Sequence, residues 1–144
     1  LAGLDGEKVD ALGERFAAEI EAKRLRPDTL ARLRRHRALG HGTLLASASL
    51  DPYLLPLGRR LGVDGVVCTR LERAGDGRLT GRLVGANCRA AEKARRVDEW
   101  LAQHGLADAE VWAYGDSPSD RELLARADTG VWVGRASLAP EPFD

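Results

Sequence analysis

A chain of 144 residues with 44% hydrophobic content can bury on the order of 70% of its unfolded surface in one core, and it is too short for two full domains. Its 22 basic and 22 acidic residues cancel, so no overall field recommends nucleic acid or an anionic membrane as a partner. No apolar run approaches the ~18 residues of a membrane span and no signal-peptide pattern opens the chain, while two cysteines, Cys68 and Cys88, at no metal or redox spacing exclude a disulfide scaffold and make a reducing cytoplasm the expected compartment.

Residues 7 to 23 place Val9, Leu12, Phe16 and Ile20 at helical spacing with Glu and Arg between them, which predicts an amphipathic helix N-capped by Asp5. Pro27-Asp28 starts a second helix, from Thr29 to about Leu39, ended by Gly40-His41-Gly42. Its Arg32, Arg34, Arg35 and Arg37 read as a solvated basic face. Thr43 to Ala48 is a short apolar run of the buried parallel-strand type. A helix from about Pro52 to Leu61 and a strand at Gly65 to Thr69 complete a βαβ unit. Leu71 to Val84 alternates around Gly75-Asp76-Gly77, a hairpin signal in which Asp-Gly favours positive φ. Residues 89 to 104 form a helix with Ala94, Val97, Trp100 and Leu101 on its apolar side. A strand at 110 to 114, a helix at about 119 to 127 and a strand at 129 to 133 finish the alternation. Strands alternating with helices describe a doubly wound α/β sheet. Trp100, Trp112 and Trp132 read as core, and His36, His41 and His104 as surface or loop residues.

Chemistry concentrates at Ala113-Tyr114-Gly115-Asp116-Ser117-Pro118-Ser119-Asp120. Here a strand delivers two carboxylates, four residues apart, to a Gly-containing turn before a helix. Oxygen ligands at a strand's carboxyl end suit a hard cation, Mg²⁺ rather than zinc or copper. The alternative is that Asp116 or Ser117 only caps the helix and Asp120 complements its dipole. Upstream, Leu44 to Ser49 ends an apolar strand in the hydroxyl residues Ser47 and Ser49. Lys93 stands at the start of a later helix, and it is one of only three lysines in the chain.

The order hydroxyl, lysine, Gly-Asp-Ser-x-x-Asp resembles the second, third and fourth motifs of the haloacid dehalogenase superfamily. The text Ala46-Ser47-Ala48-Ser49, Leu61-Gly62-Val63-Asp64, Thr69-Arg70-Leu71-Glu72, Leu79-Thr80-Gly81, Asn87-Cys88 and Glu92-Lys93 resembles its phosphoserine-phosphatase-like subclass. The resemblance implies a Rossmann-like core with a mostly parallel sheet, a β-hairpin insertion and a helical cap. Residues 1–28 would be the C-terminal part of that cap and 29–144 the core. It also implies Mg²⁺-dependent hydrolysis of a small phosphorylated metabolite through an aspartyl-phosphate. Ser47 would bind a phosphoryl oxygen, with the backbone after it, Ala48 and Ser49, in the phosphate cradle. Lys93 would neutralise the phosphate and the nucleophile. Asp116 would ligate the metal, and Asp120 would complete the metal shell or orient it from outside. Each has a plainer alternative: a strand-end hydroxyl for Ser47, a helix cap for Ser49, a surface amine for Lys93.

The superfamily's first motif, Asp-x-Asp-x-Thr, which carries the nucleophile, occurs nowhere in residues 1–144. Gly3-Leu4-Asp5-Gly6-Glu7 imitates it poorly and stands too near Ser47 to leave room for a cap. A sequence with no Met that begins with Leu is therefore expected to be a fragment, inactive alone, whose missing N-terminal segment completes the core. The competing expectation is a catalytically inactive binding or regulatory module. In the superfamily's fold the missing central strand lies between the strands of Ser47 and Asp116. Their inner edges are then expected to lack partners, at ~1–3 kcal/mol for each buried unpaired group, or to pair with one another or with another chain.

Overall fold

The structure, a computed structural model, describes residues 1–138; residues 139–144 of the expected core lie outside the described residues. The elements run α1 (Gly6–Lys23), α2 (Pro27–Ala38), β1 (Leu44–Leu50), α3 (Asp51–Leu61), β2 (Gly65–Thr69), β3 (Leu71–Arg73), β4 (Leu79–Leu83), α4 (Ala90–Gln103), β5 (Trp112–Gly115), a 3₁₀ turn (Pro118–Asp120), α5 (Arg121–Arg126) and β6 (Thr129–Trp132). This is a mixed α/β chain whose βαβ pairs are parallel and whose single described hairpin is antiparallel. The chain clusters into two compact units, Leu1–Arg24 with Leu44–Cys88, and Leu25–Thr43 with Arg89 onward.

In the first unit the Asp5 carboxylate caps α1 by accepting the Glu7 amide at 3.0 Å, as expected. Of the expected apolar stripe of α1, Val9, Phe16 and Ile20 are half-buried, and Leu12 alone turns outward. Gly6, Gly13 and Ala17 are buried, whereas Leu12 is 61% exposed. The reason is the closeness of α1 to α3: a Cβ on Gly13 would stand 1.9 Å from the Pro52 carbonyl oxygen, a separation only a glycine tolerates. Phe16 then packs edge-on against Tyr53, ring centres 4.9 Å apart. Strands β1 and β2 pair in parallel from Leu44↔Gly65 to Ala46↔Val67, and again at Leu50↔Thr69. The four-residue step on β1 against a two-residue step on β2 makes Ser47-Ala48-Ser49 bulge from the ladder. The hairpin turns as expected, with Gly77 at φ +82 and the Ala74 amide on the Arg78 carbonyl at 2.8 Å.

In the second unit β5 and β6 pair in parallel from Trp112↔Thr129 to Gly115↔Trp132. Helix α4 buries Ala94, Val97 and Leu101, the 3- and 4-residue spacing of one helical face. Trp100 stacks on His104 at 4.0 Å. Trp132 is 53% exposed, contrary to its expected core position, because successive residues of β6 face opposite sides and it points away from buried Val133. Among the described residues, β1 is laddered only to β2 and β5 only to β6.

Candidate functional site

Strand β5 ends at Gly115, and the next residue, Asp116, is exposed at the strand's carboxyl end. Pro118 opens the 3₁₀ turn at a position where its missing N–H costs nothing. Ser117 and Asp120 form a reciprocal capping box across that turn. The Asp120 Oδ2 accepts the Asp116 and Ser117 amides, each at 3.1 Å, and the Ser117 hydroxyl at 3.3 Å. This fold-back needs a glycine beside it: a Cβ on Gly115 would lie 2.6 Å from the Asp120 Cβ.

The other Asp120 oxygen, Oδ1, receives Lys93 Nζ at 2.5 Å. Both side chains are withdrawn from solvent, 4% exposed for Lys93 and 12% for Asp120. Burial pushes the Asp120 carboxyl up, but the Lys93 ammonium and the Ser117 and Asp116 amides outweigh it and hold the group below the usual carboxylate range. The reading of Lys93 as a surface amine does not survive this burial. Helix α4 presents Lys93 in its first turn, and Ala90, its first residue, holds φ +52, a left-handed conformation that stores strain beside the site. Lys93, Asp116 and Asp120 are thus gathered within one unit.

Ser47, Ala48 and Ser49 belong to the other unit and lie in its β1 bulge, all half-buried. The Ser47 hydroxyl accepts the Ser49 amide at 3.1 Å, a local turn. The first residue of α3, Asp51, is buried and accepts the Leu71 amide at 3.0 Å, tying the end of that turn to the hairpin. The Thr69 hydroxyl donates to the Asn87 side-chain oxygen at 2.9 Å and accepts the Cys88 amide at 2.9 Å.

Two features of the second unit escaped the sequence reading. The α2 face that read as solvated buries Arg32 and His36, each 8% exposed. Both converge on the Tyr114 hydroxyl, at 3.2 Å from Arg32 Nη1 and 2.9 Å from His36 Nε2, beneath the strand that presents Asp116. The second is Arg26, at the N-cap of α2 without a side-chain cap bond. An arginine where Ser, Thr, Asp or Asn is preferred was the available signal.

For a hard cation, the exposed Asp116 carboxylate fits as an oxygen ligand. Asp120 fits as the group that orients the strand end, since both of its oxygens already accept hydrogen bonds. No group of three or more potential metal ligands occurs among the described residues. No helix among them is long and apolar enough to cross a membrane.

Comparison with known proteins places the chain in a family. The family model described as haloacid dehalogenase-like hydrolase matches residues 1–125. Protein CicA of Caulobacter vibrioides (strain NA1000 / CB15N) is 38% identical over 128 residues, 89% of this chain and 56% of that protein. The phosphoserine phosphatase of Streptomyces coelicolor is 34% identical over 131 residues, 91% of this chain and 30% of the enzyme. A crystal structure of a Bordetella pertussis Tohama I protein of unknown function superposes with a TM-score of 0.77 at 34% identity, over 87% of this chain and 57% of that one. The chain thus spans little more than half of CicA and under a third of the phosphatase.

Proposed function

The chain belongs to the haloacid dehalogenase-like hydrolase family, and from that premise we propose that the complete protein hydrolyses a small phosphomonoester with Mg²⁺ through an aspartyl-phosphate. The observation that supports this best is the division of labour between two carboxylates. Asp116 is exposed and aimed from a parallel strand's end, while Asp120 is consumed by Lys93 and two backbone amides. A capping motif alone would need neither the buried ammonium nor an exposed acid beside it.

In this reading Asp116 holds Mg²⁺ together with oxygen ligands of the Asp-x-Asp-x-Thr motif, which residues 1–144 do not contain. The bound ion would neutralise charge on the phosphoryl oxygens. Lys93 has three ammonium protons and donates one in a hydrogen bond to Asp120; the others would serve a phosphoryl oxygen and the nucleophilic carboxylate, which the ammonium would keep ionised. Asp120 keeps the Asp116 and Ser117 amides in register so that the metal ligand does not wander. Ser47, with the amides of Ala48 and Ser49, supplies the phosphoryl hydrogen bonds; the order of the motifs supports this role. The division into a cap remnant, 1–28, and a core from 29 belongs to the same proposal. A small phosphorylated metabolite is the substrate class, and the cytoplasm the compartment in which two buried cysteines stay reduced.

The test is phosphate release from a generic aryl phosphate by the complete protein. Turnover should vanish on chelation and fall by about 10²-fold or more in Asp116→Asn. Turnover that persists without divalent metal would sink the mechanism, and a folded complete protein with none would favour a binding module.

A further inference from the structure

We propose that Arg26 is a positioning residue for Asp116, acting through the chain segment that follows β6. The inference rests on the reading of Asp116 as the metal ligand, and it concerns a residue that the motifs do not include. Arg26 and Asp28 face one another across the first turn of α2 in a bidentate pair, Nε to Oδ1 at 3.0 Å and Nη2 to Oδ2 at 2.7 Å. Fixed in this way, the guanidinium fork donates to the Gly134 carbonyl and, at 3.1 Å, to the Ala136 carbonyl. Asp28 Oδ2 in turn accepts the Leu138 amide at 3.1 Å. One ion pair therefore holds three backbone points of a segment with no ladder of its own.

That segment begins where β6 meets the site. The Val133 amide donates to the Gly115 carbonyl at 2.7 Å, and Gly115 immediately precedes Asp116. Val133 is buried and Gly115 pairs with Trp132, so a shift of residues 133–136 must move the peptide that aims Asp116. The pair has the properties of a fixed clamp. A planar fork reaches a carboxylate and two carbonyls at once, which a lysine's point charge does not. Hydrogen bonding from Arg26 holds the Asp28 carboxyl well below its usual range, and the charge of Asp116 acts on the same guanidinium.

Charge alone and clamping predict opposite outcomes. A cation near the metal ligand repels Mg²⁺, so if Arg26 acted only by its field, Arg26→Ala would tighten metal binding. If it acts by position, both Arg26→Ala and Arg26→Lys loosen it. The experiment uses the complete protein, Mn²⁺ as the probe counted by its free-ion electron paramagnetic resonance signal, and hydrogen exchange of peptides covering 115–117 and 133–138. Arg26→Ala, Arg26→Lys and Asp28→Asn are each expected to weaken Mn²⁺ binding by about tenfold and to speed exchange in both peptides. The exposed-pair variant Arg95→Ala should do neither. Unchanged exchange at 115–117 in Arg26→Ala, or Mn²⁺ binding that is tighter there or restored by lysine, overturns the proposal. Faster exchange with Mn²⁺ binding that survives Asp116→Asn leaves the clamp standing and refutes instead the assignment of Asp116 as the ligand.

Discussion

The Lys93–Asp120 pair makes an asymmetric prediction. In Asp120→Leu the Lys93 ammonium, 4% exposed, loses the carboxylate to which it donates. Removing one member of a buried pair costs ~3–5 kcal/mol, because the remaining charge is uncompensated. The Asp116 and Ser117 amides also lose their acceptor, but Asp116 is exposed and Ser117 half-exposed, so water replaces it at little further cost. In Lys93→Met the balance is different. Asp120 keeps two amides and the Ser117 hydroxyl on Oδ2, and methionine refills the volume of the lysine stem, so about 1–2 kcal/mol is expected. The double variant Lys93→Met/Asp120→Leu removes both charges and should be less destabilised than Asp120→Leu alone. Urea unfolding of the complete protein, compared at constant m-value, measures all three. Lys93→Met costing as much as Asp120→Leu, or strict additivity in the double variant, would refute the view that Asp120 is held by the backbone and Lys93 by Asp120. Activity separates from stability here: Lys93→Met should remove phosphatase turnover while remaining folded.

Gly13→Ala forces a methyl group against the Pro52 carbonyl oxygen, 1.9 Å from the built Cβ, and should cost ~1–3 kcal/mol as an overpacked helix contact; an unchanged melting temperature would show that α1 and α3 do not approach so closely. Acid should destabilise the protein: the folded Asp120 carboxyl lies below its ordinary 3.8, so its contribution is fully present above that value and is lost as pH falls through the lowered one. Glu92, held at about 2 chiefly by the Arg95 and Arg96 side chains, extends the same loss downward. Melting temperature followed from about pH 7 to pH 2 should therefore fall below about pH 4, and less steeply in Asp120→Asn; stability that rises on acidification from about pH 5 to pH 3 would contradict the sign.

Much of the architecture was legible because local signals agree with one another here. Strand Gly65–Thr69 and the Asp76-Gly77 turn were readable to the residue, since β-branched runs bounded by turn residues and a dipeptide suited to positive φ carry their geometry in the residue type. The Asp5 cap was equally local. Asp116, Lys93 and Ser47 were nameable because family motifs preserve order and spacing along a chain.

Tertiary structure decided the rest, through close approaches and long-range partners that no local window contains. On α1 the small residues Gly13 and Ala17 are buried deepest, between half-buried Val9, Phe16 and Ile20, and Leu12 is left outside, because the close backbone contact with Pro52 comes from another helix. Arg32 and His36, polar and therefore read as solvated, are buried because the Tyr114 hydroxyl, 82 and 78 residues away in sequence, satisfies them. Arg26 has no motif at all; its role arises only when the segment after β6 returns to the start of α2. Asp116 and Asp120 look alike in sequence, two acids on one turn, and only the arrival of the Lys93 ammonium from α4 distinguishes them, consuming one carboxylate and leaving the other exposed.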